Sequence, residues 1–333
     1  MNQATLMRAV ADLVGRPHRV PDRVRPALAD GGPGLVLAYA QLDRCLPNRG
    51  WREMAEGYLA ATVAGAERLG GTGASPGMFG GLAGIAFAAW SLTHDPGVLP
   101  EIHESVVRQA ITRAVTLDDQ PAGRALDVIS GLAGTGAYLL CRRDEPDTRE
   151  ALTSVLKALV AAGDGWGTGM AHGTSGPLAL LCLAAESGVL VAGQRDAIAR
   201  LAAGQPDDLP STSWCRGRTG IARALWLAGT TLEDAGLRER GVRMLKDVHR
   251  LGVAPDAGLC HGRSGLLHVT HRLARETGDA ELAATTEKLA ATMVEASVSG
   301  GPGFLDGVAG VVLALLAVAS PEPGVWDRVL LLS

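Results

Sequence analysis

Cys215, Cys260 and His261 are the residues of this chain whose types and placing point most directly to chemistry. Two thiolates and an imidazole are a preferred zinc set, and three protein ligands leave a fourth position open, as catalytic sites require. A closed, structural site needs a fourth protein ligand instead, and Asp306 and His172 stand at the corresponding place in adjacent copies of a repeat. Residue types alone leave both arrangements standing. His172 can give or take a proton near neutrality, because an unperturbed imidazole titrates at about pH 6.5. Asp127 is suited either to capping a helix or to orienting and charge-tuning an imidazole. Cys45, Cys141, Cys182, His268 and His271 are read as packing residues, the commoner role of lone cysteines and histidines.

The element that must position these residues is a glycine pair that occurs seven times: Gly31/Gly34, Gly81/Gly84, Gly131/Gly134, Gly173/Gly176, Gly217/Gly220, Gly262/Gly265 and Gly307/Gly310. Steps between the first glycines are 50, 50, 42, 44, 45 and 45 residues, a period typical of helix-pair repeats. Cys215 and Cys260 stand two residues before the first glycine of copies five and six, and His172 and His261 stand one residue before theirs. Each pair is followed by a nearly all-apolar segment, such as Ser175 to Ala185 or Val308 to Ala319, which reads as a helix buried on every side. Pro177 fits the first turn of its helix. Between the pairs lie amphipathic segments. In Asp147 to Gly163, Asp147 and Glu150 resemble a capping box, Leu152, Val155, Leu156, Leu159 and Val160 form a stripe, and Gly163 closes the helix. Asp279 to Ser297 repeats the plan with Leu282, Leu289 and Met293.

No segment shows sustained period-two alternation, so the expected fold is all-α. Seven helix pairs can bury their faces by closing into an α/α toroid, a double-ring helical barrel with the apolar helices inside; an open solenoid is the alternative. Residues 1–333 would form one domain with no inserted domain. The toroid gathers the glycine pairs at one end, where unpaired helix N–H groups would favour thiolates. The glycine-rich loops lack a G-x-x-x-x-G-K-[S/T] sequence and no strand precedes them, which argues against a phosphate cradle.

The chain of 333 residues is 47% hydrophobic and 20% charged, enough to bury a large core. A net charge of −4 without long runs of one sign gives no reason to expect nucleic acid or an anionic membrane as a partner. The longest apolar run, Val308 to Ala319, is too short to span a bilayer, and the first twenty residues lack the continuous apolar core of a secretory signal. Five cysteines, an odd number, argue against a disulfide framework. A reduced, cytoplasmic protein is expected.

Asp127-Val128-Ile129-Ser130-Gly131, Met170-Ala171-His172-Gly173, Trp214-Cys215-x-Gly217, Cys260-His261-Gly262, Phe304-Leu305-x-Gly307 and the ending Trp326 to Ser333 together resemble the lanthionine synthetase C-like (LanC) cyclases. The resemblance runs through most of the chain in one order. It implies a zinc enzyme with a double-ring helical barrel that closes thioether rings in ribosomally made peptides, adding cysteine to dehydroalanine or dehydrobutyrine. Cys215, Cys260 and His261 match the family's Zn2+ ligands, and His172 and Asp127 its proton-handling residues. The implied partners are a dehydrated precursor peptide and, as a candidate, a dehydratase. Two positions depart from the family's pattern: Ser211 replaces an arginine and Arg216 a tyrosine, which alters the surroundings of the metal rather than its ligands. Arg216 is then a candidate to supply the missing positive charge. The alternatives are another zinc-dependent thiol alkylation, such as glutathione addition or prenyl transfer, and a non-catalytic peptide-binding scaffold.

Overall fold

A computed structural model describes residues 3–15, 19–21, 23–117, 123–163, 166–251, 256–294, 301–322 and 324–333. The described residues form α1 (Gln3–Val14), α2 (Gly32–Cys45), α3 (Trp51–Arg68), α4 (Leu82–Thr93), α5 (Pro100–Val115), α6 (Gly123–Leu126), α7 (Leu132–Cys141) and α8 (Pro146–Ala161). There follow α9 (Ser175–Glu186), α10 (Gln194–Ala203), α11 (Arg218–Thr231), α12 (Ala235–Arg250), α13 (Arg263–Thr277), α14 (Ala280–Val294) and α15 (Val308–Ala319). No strand occurs among the described residues, and none of their helices is long and apolar enough to cross a membrane.

Helices α2, α4, α7, α9, α11, α13 and α15 are the seven that follow the glycine pairs. The all-round hydrophobicity expected of them holds for α7 and α9 but not for α13, which carries Arg272, Arg275 and Glu276 and leaves the last two exposed. Every residue from Ser175 to Ala184 in α9 and from Leu132 to Leu140 in α7 is buried. The alternating helices bury only one stripe: Leu152, Val155, Leu156 and Leu159 in α8, and Leu282, Leu289 and Met293 in α14. Val160 lies at the edge of the α8 stripe and is half-buried. The end of the Asp279 to Ser297 segment, residues 295–297, lies outside the described residues.

Contacts group the chain into two compact units. One comprises Met1–Gly71, Phe87–Asp95 and Leu251–Trp326 and carries copies six, seven and one. Within it α15 packs on α1, α2 and α13, with α3 on α2 and α14 on α13. The other comprises Thr72–Ala86, Pro96–Arg250 and Asp327–Ser333 and carries copies two to five. Within it α7 packs on α5, α8 and α9, and α11 on α9 and α12.

The loop before six of the seven buried helices curls back and caps its helix with its own backbone, whereas before α7 the Asp127 carboxylate accepts the loop amides. The residue after the first glycine donates its N–H to the carbonyl seven positions earlier: Gly32 to Arg25, Leu82 to Ser75, Thr174 to Gly167, Arg218 to Ser211, Arg263 to Asp256 and Val308 to Gly301, at 2.8–3.3 Å. Those amides are therefore satisfied by carbonyls rather than left unpaired. The same curl explains the glycine. At Gly262 a Cβ would stand 2.5 Å from Gly258 N and 2.6 Å from Asp256 O, closer than any side chain tolerates. Gly31, Gly131, Gly217, Gly262 and Gly307 are N-cap residues, whereas in copy four the cap shifts to Thr174.

One expected cap is absent. Helix α8 starts at Pro146 after Glu145, and no side chain caps it, so Asp147 lies inside the first turn instead of forming a capping box with Glu150. Proline at the first position dispenses with an N–H that would otherwise need a partner.

Neighbouring loops are stitched to one another. Phe79 N donates to Ile129 O at 3.0 Å, Val128 N to Ala171 O at 3.1 Å, and Ala171 N to Cys215 O at 2.9 Å. In the other unit Cys260 N donates to Leu305 O, and Leu305 N to Ala29 O, both at 3.0 Å. The last of these joins copy seven to copy one, a link an open solenoid does not make.

Candidate functional site

Asp127 sits in the loop before α7 and is 1% exposed. Its Oδ1 accepts hydrogen bonds from Ser130 N at 2.8 Å and Gly131 N at 3.0 Å. Its Oδ2 lies 2.9 Å from His172 Nδ1. The carboxylate therefore caps its loop and orients an imidazole at once. Because an ionised carboxylate only accepts, the Nδ1 hydrogen of His172 faces it, and Nε2 is the nitrogen left to meet a reactant. The His172 side chain is 40% exposed, so that nitrogen belongs to a reachable ring.

The loop of His172 is bonded to the loop of Cys215 through Ala171 N. Cys215 is half-buried and its thiol donates to Ser213 Oγ at 3.5 Å. Ser213 Oγ also accepts from Arg216 N at 3.2 Å and is 2.9 Å from Ser211 Oγ. Beneath them Trp214 is fully buried against Phe79, ring centres 6.4 Å apart, and its Nε1 donates to Leu330 O at 3.2 Å. The C-terminal residues thus enter the core under the cysteine loop. Arg223, also buried, donates through Nε and Nη2 to Leu332 O at 3.0 and 2.6 Å. Arg216 is exposed, and its backbone bond to Ser213 is what ties it to this loop.

Cys260 is half-buried in the loop before α13, and His261 beside it is half-exposed. His261 Nε2 lies 3.1 Å from Asp256 Oδ2, and Nδ1 lies 3.6 Å from Asp306 Oδ1. Burial pushes the Asp306 carboxyl above the usual carboxylate range; His261 opposes that shift and Asp256 adds to it. Cys215, Cys260 and His261 form a group whose donor types could hold a metal ion. Asp306 and His172 are not members of that group.

Two half-buried thiols and an imidazole fit a zinc ion by donor type and number. The surroundings of two other cysteines do not. Burial pushes the Cys182 thiol up to about 12 and also raises that of Cys141, which keeps both protonated as packing groups. Sequence reasoning had named every member of the group and the His172–Asp127 pair. It missed Ser213 and Asp256. The Asp256-Ala257-Gly258 run is a turn signature that marks where a carboxylate can bond its own loop.

Among solved structures the chain resembles one titled nisin cyclase, with a TM-score of 0.80 and 19% identity over 99% of this chain and 97% of that one. The fold is thus an α/α toroid of helix pairs, and the site adds to it a group of two cysteines and a histidine able to hold a metal. A search of curated protein sequences gives no match. Residues 22–331 match the family described as lanthionine synthetase C-like protein, and the chain belongs to that family.

Proposed function

We propose that this protein is a lanthipeptide cyclase that adds peptide cysteine thiols to dehydroalanine or dehydrobutyrine, forming lanthionine or methyllanthionine rings. The observation that carries the reading is the group of Cys215, Cys260 and His261, whose donor types could hold a metal ion. Membership in the LanC-like family and the likeness to a structure titled nisin cyclase support it. We take residues 1–333 as one LanC-like domain acting in the cytoplasm, where its five free cysteines stay reduced. Its partner is a precursor peptide already dehydrated, so a dehydratase acts before it.

Cys215, Cys260 and His261 would hold Zn2+. When bound there, the metal supplies a deprotonated substrate thiol, which otherwise is only about 3% thiolate at pH 7 given a pKa near 8.5. With three protein ligands a fourth place would be left for that sulfur. The new bond joins sulfur to the β-carbon of the dehydroresidue, and the electron pair of the double bond moves toward the carbonyl as an enolate. The α-carbon then takes one proton, equal to the one lost by the thiol. His172 Nε2 is placed to deliver it while Asp127 holds Nδ1. Arg216, exposed beside Cys215, is the candidate to stabilise the enolate oxygen.

The test is to supply purified protein with a dehydrated peptide that carries one cysteine and to count remaining thiols by alkylation and mass spectrometry, with bound zinc measured on the same samples. Cys215→Ala and Cys260→Ala should lose metal and ring closure together, and His172→Ala should keep the metal and close rings slowly. Full zinc occupancy with unchanged ring closure in Cys260→Ala would overturn the reading, as would a zinc-loaded wild-type protein that binds such peptides without consuming thiol.

A further inference from the structure

His261 has carboxylates toward both ring nitrogens, and they are not equivalent. Asp306 Oδ1 is 3.6 Å from Nδ1, beyond hydrogen-bond range, whereas Asp256 Oδ2 is 3.1 Å from Nε2, within it. Asp256 is also the better anchored of the two. Its Oδ1 accepts from Gly258 N at 2.8 Å, and its backbone carbonyl accepts the N–H of Arg263 at 2.8 Å, the bond that caps α13. One carboxylate oxygen is thus committed to the loop, which aims the other at the imidazole.

Asp127 is built the same way. There too Oδ1 takes loop amides, at 2.8 and 3.0 Å, and Oδ2 meets an imidazole nitrogen, at 2.9 Å. The two loops differ in which ring nitrogen is engaged: Nδ1 in His172 and Nε2 in His261. Since the carboxylate accepts, the engaged nitrogen carries the hydrogen and the opposite one presents its lone pair or proton to the site.

We infer that Asp256 is a positioning residue for the metal ligand His261, holding its Nε2–H so that Nδ1 is the nitrogen that faces the metal. The inference rests on the metal reading of the Cys215, Cys260 and His261 group, and it deepens that reading by naming the outer partner that fixes the ligand's tautomer and ring angle. Histidines that bind metals generally donate their other N–H to such a partner, and losing it costs about 10–100-fold in metal affinity. A carboxylate in that place also makes the imidazole a stronger donor. The site becomes more electron-rich, in keeping with a sulfur that must stay nucleophilic.

Asp256→Asn is the informative variant. Gly258 N–H still needs an oxygen, so the asparagine carbonyl stays there and its NH2 points at His261 Nε2. Two donors then face each other unless the ring moves its hydrogen to Nδ1, the nitrogen needed for the metal. The variant therefore keeps the loop bond and removes only the orientation. Zinc affinity would be measured by competition with a chromophoric chelator, melting of the zinc-free protein would report the loop, and long-range 1H–15N spectra would show which ring nitrogen is protonated.

The expected result is zinc bound about 10–100-fold more weakly in Asp256→Asn, with zinc-free melting unchanged, and a wild-type zinc form whose His261 hydrogen is on Nε2. Asp256→Ala should weaken zinc similarly and also lower the melting temperature. Wild-type zinc affinity in Asp256→Asn would overturn the inference while leaving the metal site intact, and so would a zinc form protonated on Nδ1. A wild-type protein that binds no zinc would remove the metal reading and the inference with it.

Discussion

Asparagine at position 127 separates two jobs that one carboxylate holds. Asp127 Oδ1 satisfies the N–H groups of Ser130 and Gly131, and Oδ2 holds His172 Nδ1. Alanine removes both functions in a residue that is 1% exposed. Two loop amides then lose their acceptor, at a cost of about 1–3 kcal/mol for a buried donor left unmade, a range that overlaps the cost of losing a helix cap. Asparagine keeps an oxygen for the amides and costs less, about 1 kcal/mol or under, reflecting the weaker bond of a neutral acceptor. Its NH2 group, however, takes the place 2.9 Å from His172 Nδ1. His172 must then accept at Nδ1, so the ring is no longer held with its hydrogen on that nitrogen. On the proposed mechanism this removes most of the proton-transfer advantage, about 10²–10⁴-fold. Urea melts and thiol counting on a dehydrated peptide would measure the two effects separately. Asp127→Asn should melt close to wild type and close rings at least 100-fold more slowly, whereas Asp127→Ala should lose both. Ring closure within a few-fold of wild type in Asp127→Asn would refute the assignment of Asp127 to His172, and wild-type melting of Asp127→Ala would refute the cap.

Gly220→Ala would drive a Cβ into Trp214 O and to 2.8 Å from Met170 Cβ, so it should cost about 1–3 kcal/mol and weaken zinc by shifting the Cys215 loop. Gly163→Ala, where a Cβ meets nothing within 4 Å, should be neutral in the same melt and zinc titration; equal losses in the two would refute the steric account. Iodoacetamide at pH 8 on the zinc-free protein should label Cys215 and Cys260 but spare Cys182, whose thiol burial pushes up to about 12, and zinc should protect the labelled pair; peptide mapping reads the outcome. Burial, with His268, Arg275 and Arg272, lowers the His271 pKa to about 4. The unfolded chain, at about 6.5, therefore binds more protons in between. Stability from this group should be complete above about pH 6.5 and decline as pH falls toward 4, and urea melts of zinc-free His271→Gln should show a shallower decline than wild type. Burial lowers the His103 pKa too, so part of the slope should survive that substitution.

Much of this protein was written in its local pattern. The glycine spacing marked where the buried helices begin, and Val308 to Ala319 is both the apolar run in the sequence and helix α15. The same period placed Cys215 and Cys260 at equivalent loop positions, so their residue types sufficed to nominate a metal group before any distance was known. Such features are legible because helix burial depends on neighbours three and four residues away along one chain. The capping box at Asp147 shows the limit of local pattern, because Pro146 starts the helix in another way and no sequence rule ranks the two. Tertiary structure alone decided that Asp127 both caps and orients, and that Asp256 rather than Asp306 holds His261. It also decided that the C-terminal residues enter the core beneath Trp214. These choices turn on which oxygen or nitrogen points where, to within a few tenths of an ångström. That geometry comes from loops bonded across tens of residues, and periodicity carries no record of it.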